Sequence, residues 1–181
     1  MSIHRRTLIA AAAALLAGCS PPQRAFNSVD ITGAAYASDF ALRDAAGKTR
    51  TLEQFRGQVV VVFFGFAQCP DVCPTTLADL AQVRKVLGAD GKRVQVIFIT
   101  VDPERDTPAV LAEYVPAFDP TFIGLTGTPE QIHATAREFK VFYQKVAGPT
   151  PTSYTIDHTA GSYVFDRDGR IRLFVRHAAS V

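Results

Sequence analysis

"QVVVVFFGFAQCPDVCPTTLADLAQVRKVL", residues 58 to 87, changes its periodicity midway, and that change decides the fold. From Gln58 to Phe66 nearly every residue is β-branched or aromatic, the pattern of a central strand buried on both faces. From Pro74 the apolar residues recur at helical spacing, with Leu77, Leu80, Ala81 and Leu87 approximating one face until Gly88. Pro74 is expected at the first helical position, where its missing N–H costs nothing. Between strand and helix stand two thiols, Cys69 and Cys73, four apart and each followed by proline. Such a pair suits a structural disulfide, a redox couple or two-thirds of a metal site.

The same alternation continues outward. "VQVIFITV" (94–101) reads as a second buried strand and "TFIGL" (121–125) as a third. Between them "TPAVLAEYVPAF" opens a helix with Thr107 as N-cap and Pro108 at its first position. "TPEQIHATAREFKVFY" starts with Thr128 and Gln131 in capping-box spacing and is expected to run as one amphipathic helix to Tyr143. Upstream, "FALRDAAGKTRTL" alternates around Gly47 like a short hairpin, and Thr51 is placed to cap a brief helix through Phe55. "SYVFDRDGRIRLFV" forms a terminal hairpin around Asp168-Gly169. Strands alternating with helices imply an α/β fold with a central mixed sheet flanked by helices. A β-α-β start followed by a β-β-α finish is the thioredoxin-like plan. Only "RHAASV" follows Val175, so its C-terminal helix is expected to be truncated and one sheet face less covered.

The N-terminus has a different logic. "MSIHRRTLIAAAAALLAGC" joins a basic start to a short apolar run and a small pair before Cys19, the layout of an exported protein's signal peptide. Leu16-Ala17-Gly18-Cys19 resembles a bacterial lipobox, so residues 1–18 are expected to be removed and Cys19 lipidated. Residues 19–35 then act as a tether and 36–181 as the folded domain. Of 19 Lys and Arg, two fall within the first 18 residues, leaving 17 against 17 Asp and Glu. With no basic excess, nucleic-acid binding has no support.

A thiol pair in an oxidising compartment needs a reason to stay reduced. A helical turn would point both sulfurs the same way, and the helix N-terminus would favour their thiolates. Thiolates select soft ions such as Cu(I), and a third donor is then required. Of four histidines, His4 lies in the signal and His133 within an amphipathic helix, while His177 follows the last strand. His158, in the expected loop "TIDHTAG", is left. In a thioredoxin-like fold that loop packs beside the cysteine turn, and Gly161 occupies the place where a thiol-disulfide enzyme holds its cis-proline.

"GFAQCPDVCPTTL" (65–77), "VDPERDTP" (101–108) and "YTIDHTAGSYVFDRDGRI" (154–171) together resemble the Sco/SenC family, copper-binding assembly factors for cytochrome c oxidase. The resemblance spans residues from about 35 to 175. It implies one copper ion held by Cys69, Cys73 and His158, as Cu(I) with Cu(II) also accommodated. The family's acidic residue in "VDPERDTP" corresponds to Asp102, which either supports the site or caps the following turn. Asp157, beside the histidine, is a candidate to orient it, although an acid adjacent in sequence often points elsewhere. The chain is thus expected to be a copper chaperone rather than a dedicated enzyme, delivering to the dinuclear copper centre on the oxidase's copper-bearing subunit. A copper donor or thiol reductant is its other expected partner, and a lipid anchor at the inner membrane, facing the periplasm, its location. The alternative is a thiol-disulfide oxidoreductase using Cys69 and Cys73 on the oxidase or another exported protein. A purely structural disulfide closing so small a loop would constrain the unfolded chain little.

Overall fold

The structure is a computed structural model that describes residues 26–150 and 153–177. Its core is one mixed sheet built around the valine and phenylalanine run. Ten strands are present among these residues: β1 (Val29–Asp30), β2 (Ala41–Asp44), β3 (Thr49–Thr51), β4 (Val59–Gly65), β5 (Val94–Thr100), β6 (Ile123–Thr126), β7 (Tyr143–Ala147), β8 (Tyr154–His158), β9 (Gly161–Phe165) and β10 (Ile171–Arg176). Eight of them form the sheet in the order β1-β10-β9-β4-β5-β6-β2-β3. β4, β5 and β6 are parallel at its centre, while β9 joins β4 and β2 joins β6 antiparallel. β7 and β8 pair only with each other.

Alternation along β4 sends Val61, Phe63 and Gly65 to one face and Val60, Val62 and Phe64 to the other. The first face lies under α1 (Val72–Val86) and α2 (Pro108–Tyr114), where Phe98 of β5 packs against Tyr114. On the second, Phe64 meets Phe139, the residue that ends α3 (Pro129–Glu138). Phe139 also packs edge-on against Tyr163, whose hydroxyl donates to the Phe139 carbonyl at 2.6 Å. Near the β9–β10 edge the α1 face is less covered. Leu80 and Val83 border an open cleft of about 330 Å³ with Val59, Val61, Val164 and Val175. Residues 178–181, which follow that edge, lie outside the described residues, as do the expected signal segment and Cys19.

Four local expectations are corrected. α1 begins at Val72, with Asp71 in the N-cap position, so Pro74 is its third residue. Pro74 is tolerated there because the first four helical N–H groups have no acceptor within the helix.

α3 stops at Glu138 instead of running to Tyr143. Lys140 takes a left-handed φ of 54°, its N–H bonds the Arg137 carbonyl at 3.0 Å and Val141 N–H bonds that of Ala136 at 2.8 Å. This is a Schellman ending, sealed by the buried Val141. Lysine replaces the usual glycine, which is why no stop signal was visible.

The stretch around His158, expected as a loop, is strand β8. Tyr154, Ile156 and His158 are at least partly buried while Thr155 and Asp157 between them are exposed, a period-two pattern.

Capping also separates two similar threonines. Thr128 accepts from Gln131 N–H at 3.3 Å in a complete capping box, whereas Thr51 makes no cap bond and Asp39 takes the Leu52 N–H at 2.9 Å. Thr128→Ala should therefore cost about 1 kcal/mol. Thr51→Ala should cost clearly less, as read from urea denaturation midpoints.

Candidate metal centre

β4 ends at Gly65 and the chain turns at once, Cys69 N–H donating to the Phe66 carbonyl at 3.2 Å. Cys69 stays in this turn while Cys73 is the second residue of α1. The Cys73 N–H, one of the helix's free donors, points at the Cys69 sulfur 3.4 Å away. Cys69 thus receives the helix N-terminus. The Cys73 side chain is fully buried against the sheet. A Cβ on Gly65 would lie 2.7 Å from its sulfur and 2.9 Å from the Phe98 ring, so only glycine leaves it room.

His158 reaches the pair from the end of β8. Its Nε2 lies 3.5 Å from Cys73 Sγ, and its ring stands edge-on to Phe63 and Phe66 with centroids 6.2 and 6.0 Å away. Nδ1 is 3.1 Å from the Thr159 carbonyl oxygen, which can only accept. Nδ1 therefore holds the proton and Nε2 presents its lone pair toward the sulfurs. One ligand atom from each of Cys69, Cys73 and His158 lies within 4.8 Å of the others, and both thiols are free. A cleft of about 270 Å³, bordered by Pro70, Asp71, Thr155 and Asp157, opens onto Cys69 and His158.

Burial sets the protonation of the site. It pushes the Cys73 thiol far above its ordinary range, with the Cys69 sulfur adding to the effect and the Phe66 backbone N–H opposing it. The helix N-terminus was expected to favour thiolates, but for Cys73 desolvation outweighs it. Burial also lowers the His158 pKa below 6.5, against the pull of its hydrogen bond to Thr159, which leaves the imidazole neutral at pH 7. The resulting donor set is two sulfurs and one neutral nitrogen, which suits a soft or borderline cation. Binding one would displace thiol protons.

The remaining expected residues are placed differently. Asp102 is buried, accepts from the Tyr154 hydroxyl at 2.9 Å and pairs with Arg105. It meets the site through those two side chains. Asp157 points to the opposite face of β8 from His158, and no hydrogen bond joins the two among the described residues. Gly161 opens β9, where a Cβ would meet the Phe174 ring at 2.3 Å, and no cis peptide bond occurs among the described residues. His133 is exposed, and His177 lies 3.1 Å from the Thr76 hydroxyl.

Several groups at the site escaped the sequence. Asp106 is buried and accepts from Ala67 N–H at 3.0 Å and Thr100 Oγ1 at 2.6 Å, which ties the cysteine turn to the end of β5. The Tyr114 hydroxyl is buried without a hydrogen-bond partner among the described residues. Asp106 and Arg105 lie within "VDPERDTP", where no local pattern marks them; Tyr154 was signalled by the alternation of "YTIDH".

Residues 29–181 match the family model described as SCO1/SenC. The chain is 40% identical over 133 residues to the SCO2-like protein of Rickettsia felis, covering 73% of this chain and 65% of that protein. It is 42% identical over 144 residues to the mitochondrial SCO2 homolog of Bos taurus, covering 78% and 54%. The chain thus spans less than two thirds of the length of these relatives. A solved structure of Bradyrhizobium japonicum ScoI with copper bound superposes with a TM-score of 0.72 at 42% identity, covering 77% of this chain and 88% of that one.

The buried imidazole makes a pH prediction. Its folded pKa lies below the unfolded value, so it stabilises the metal-free fold fully above about pH 6.5. That contribution is lost as the pH falls through the lowered folded value. His158→Ala should flatten this part of the stability–pH profile, measured by urea unfolding of the metal-free protein between pH 7 and 5.

Proposed function

The chain belongs to the SCO1/SenC family, and we propose that it is a copper chaperone holding one ion through Cys69, Cys73 and His158. The observation that carries this reading is the convergence of two sulfurs and one unprotonated imidazole nitrogen within 4.8 Å. Two thiolates and an imidazole form a three-coordinate set for Cu(I), and the nitrogen also suits Cu(II). The two sulfurs are unequal. Cys73 is sealed beneath the end of the central strand β4, while Cys69 and His158 border the open cleft. An incoming or departing ion therefore meets Cys69 and His158 before Cys73, and transfer proceeds by exchanging ligands one at a time with a partner's donors. The recipient in this reading is the dinuclear copper centre on the copper-bearing subunit of cytochrome c oxidase, and the donor another copper-carrying protein.

A redox role is favoured by one feature: both thiols are free and close, with the Cys69 sulfur on the helix N-terminus. Oxidation to a disulfide would remove both sulfur ligands, so a thiol reductant would be needed before loading. Export and lipidation at Cys19, with the domain facing the periplasm at the inner membrane, belong to the same proposal. No described helix is long and apolar enough to cross a membrane.

Metal analysis of the reduced domain should find one copper per chain. His158→Ala should weaken Cu(I) binding by at least about tenfold in chelator competition, with both thiols still titratable. Unchanged affinity would remove His158 from the site. Turnover of a disulfide substrate that vanishes in Cys69→Ser, without copper uptake by the wild type, would transfer the function to the redox reading. For the anchor, mass spectrometry of protein from membranes should place lipid on Cys19, and a mature N-terminus elsewhere would end that claim.

A further inference from the structure

Arg105 lies in the turn between β5 and α2, yet its side chain serves elements far from that turn. The turn closes without it: Arg105 and Asp106 N–H both donate to the Asp102 carbonyl, at 3.2 and 2.9 Å, and Thr107 caps α2. The guanidinium instead reaches both halves of the metal centre. Nη1 donates to Gln68 Oε1 at 3.1 Å, next to Cys69, and to the Tyr154 carbonyl at 2.9 Å. Nε donates to the Asp102 carboxylate, which accepts the Tyr154 hydroxyl. The guanidinium carbon stacks 3.6 Å above the Tyr154 ring and lies 5.8 Å from the Phe66 centroid. Phe66 is one of the two rings that wall His158, and Tyr154 shares His158's face of β8.

The hairpin bearing His158 needs such a tie. β7 and β8 form a two-stranded sheet of their own, and a lone hairpin is marginal in water. A second ion pair to the same turn, Lys145–Glu104 at 2.7 Å, is half exposed and contributes little. In the Arg105–Asp102 pair, by contrast, the side chains are only 20% and 1% exposed. Arg105 Nη2 is buried with no hydrogen-bond partner among the described residues. A desolvated donor left unpaired is a cost that stability alone does not explain.

We propose that Arg105 is the positioning residue that holds the His158 hairpin against the cysteine turn and so sets the sulfur-to-imidazole spacing of the metal centre. The inference rests on the copper reading above. Lysine cannot substitute: it keeps a charge near Asp102 but lacks the planar fork that engages Gln68, Tyr154 and Asp102 together.

The test compares wild type, Arg105→Lys, His158→Ala and the double variant by Cu(I) chelator competition. Arg105→Lys should bind roughly 10- to 100-fold more weakly. Because it acts through His158, the double variant should bind no more weakly than His158→Ala alone. Wild-type affinity in Arg105→Lys, or a loss that adds in full to that of His158→Ala, overturns the proposal. In the metal-free protein, amide hydrogen exchange should rise across β7 and β8 in Arg105→Lys while β4 and β5 stay protected, which shows that the domain remains folded. Unchanged hairpin protection likewise overturns it. Should the wild type take up no copper, the copper reading alone falls, and the exchange measurement still decides the role of Arg105.

Discussion

The Cys73 sulfur presses into a gap that exists only because Gly65 has no side chain, and the geometry of the site follows from that contact. To seat the sulfur beneath the end of β4, α1 must begin early enough to enclose Cys73 in its first turn. Cys69 is then left outside the helix, where a free backbone N–H meets its sulfur. Two thiols four residues apart thereby become chemically distinct. One is desolvated and held protonated, and the other stands beside open space. In the proposed copper site, this asymmetry would let the buried sulfur retain the ion while the accessible one exchanges.

The third donor arrives by a different route. α3 ends in a Schellman turn at Lys140, and the chain leaves it as a hairpin that joins no other strand. What fixes that hairpin to the body is side-chain chemistry: buried Ile156, and the Tyr154 ring between Arg105 and Asp102. The imidazole therefore rides on a hairpin outside the main sheet, while the sulfurs sit in the turn and the first helical turn that follow its central strand β4.

Side-chain alternation explains why neighbours in sequence play unlike parts at this site. Asp157 adjoins His158 but projects from the other face of β8, so it makes no hydrogen bond to the ring and acts on it through its charge alone. The Thr159 carbonyl takes the hydrogen bond instead and sets which nitrogen is free. Asp102 and Asp106, four apart in one turn, likewise divide their work. Asp102 faces the hairpin through Tyr154, and Asp106 faces the cysteine turn through Ala67.

Much of this protein was legible in the chain itself. The unbroken apolar runs of β4 and β5, the Thr128 capping box and the Asp168-Gly169 turn are local signals, and local physics honours them. The candidate ligands were legible too, since two thiols before a helix and a single well-placed histidine leave few alternatives. The end of α3 at a lysine was not, because a left-handed non-glycine residue announces nothing beforehand. Nor was the β7–β8 hairpin, whose first strand is largely exposed and so lacks an apolar pattern. The protonation of Cys73 and the reach of Arg105 depend on what surrounds each group in space. Burial and contacts between residues 37 and 49 positions apart are created only when the sheet closes.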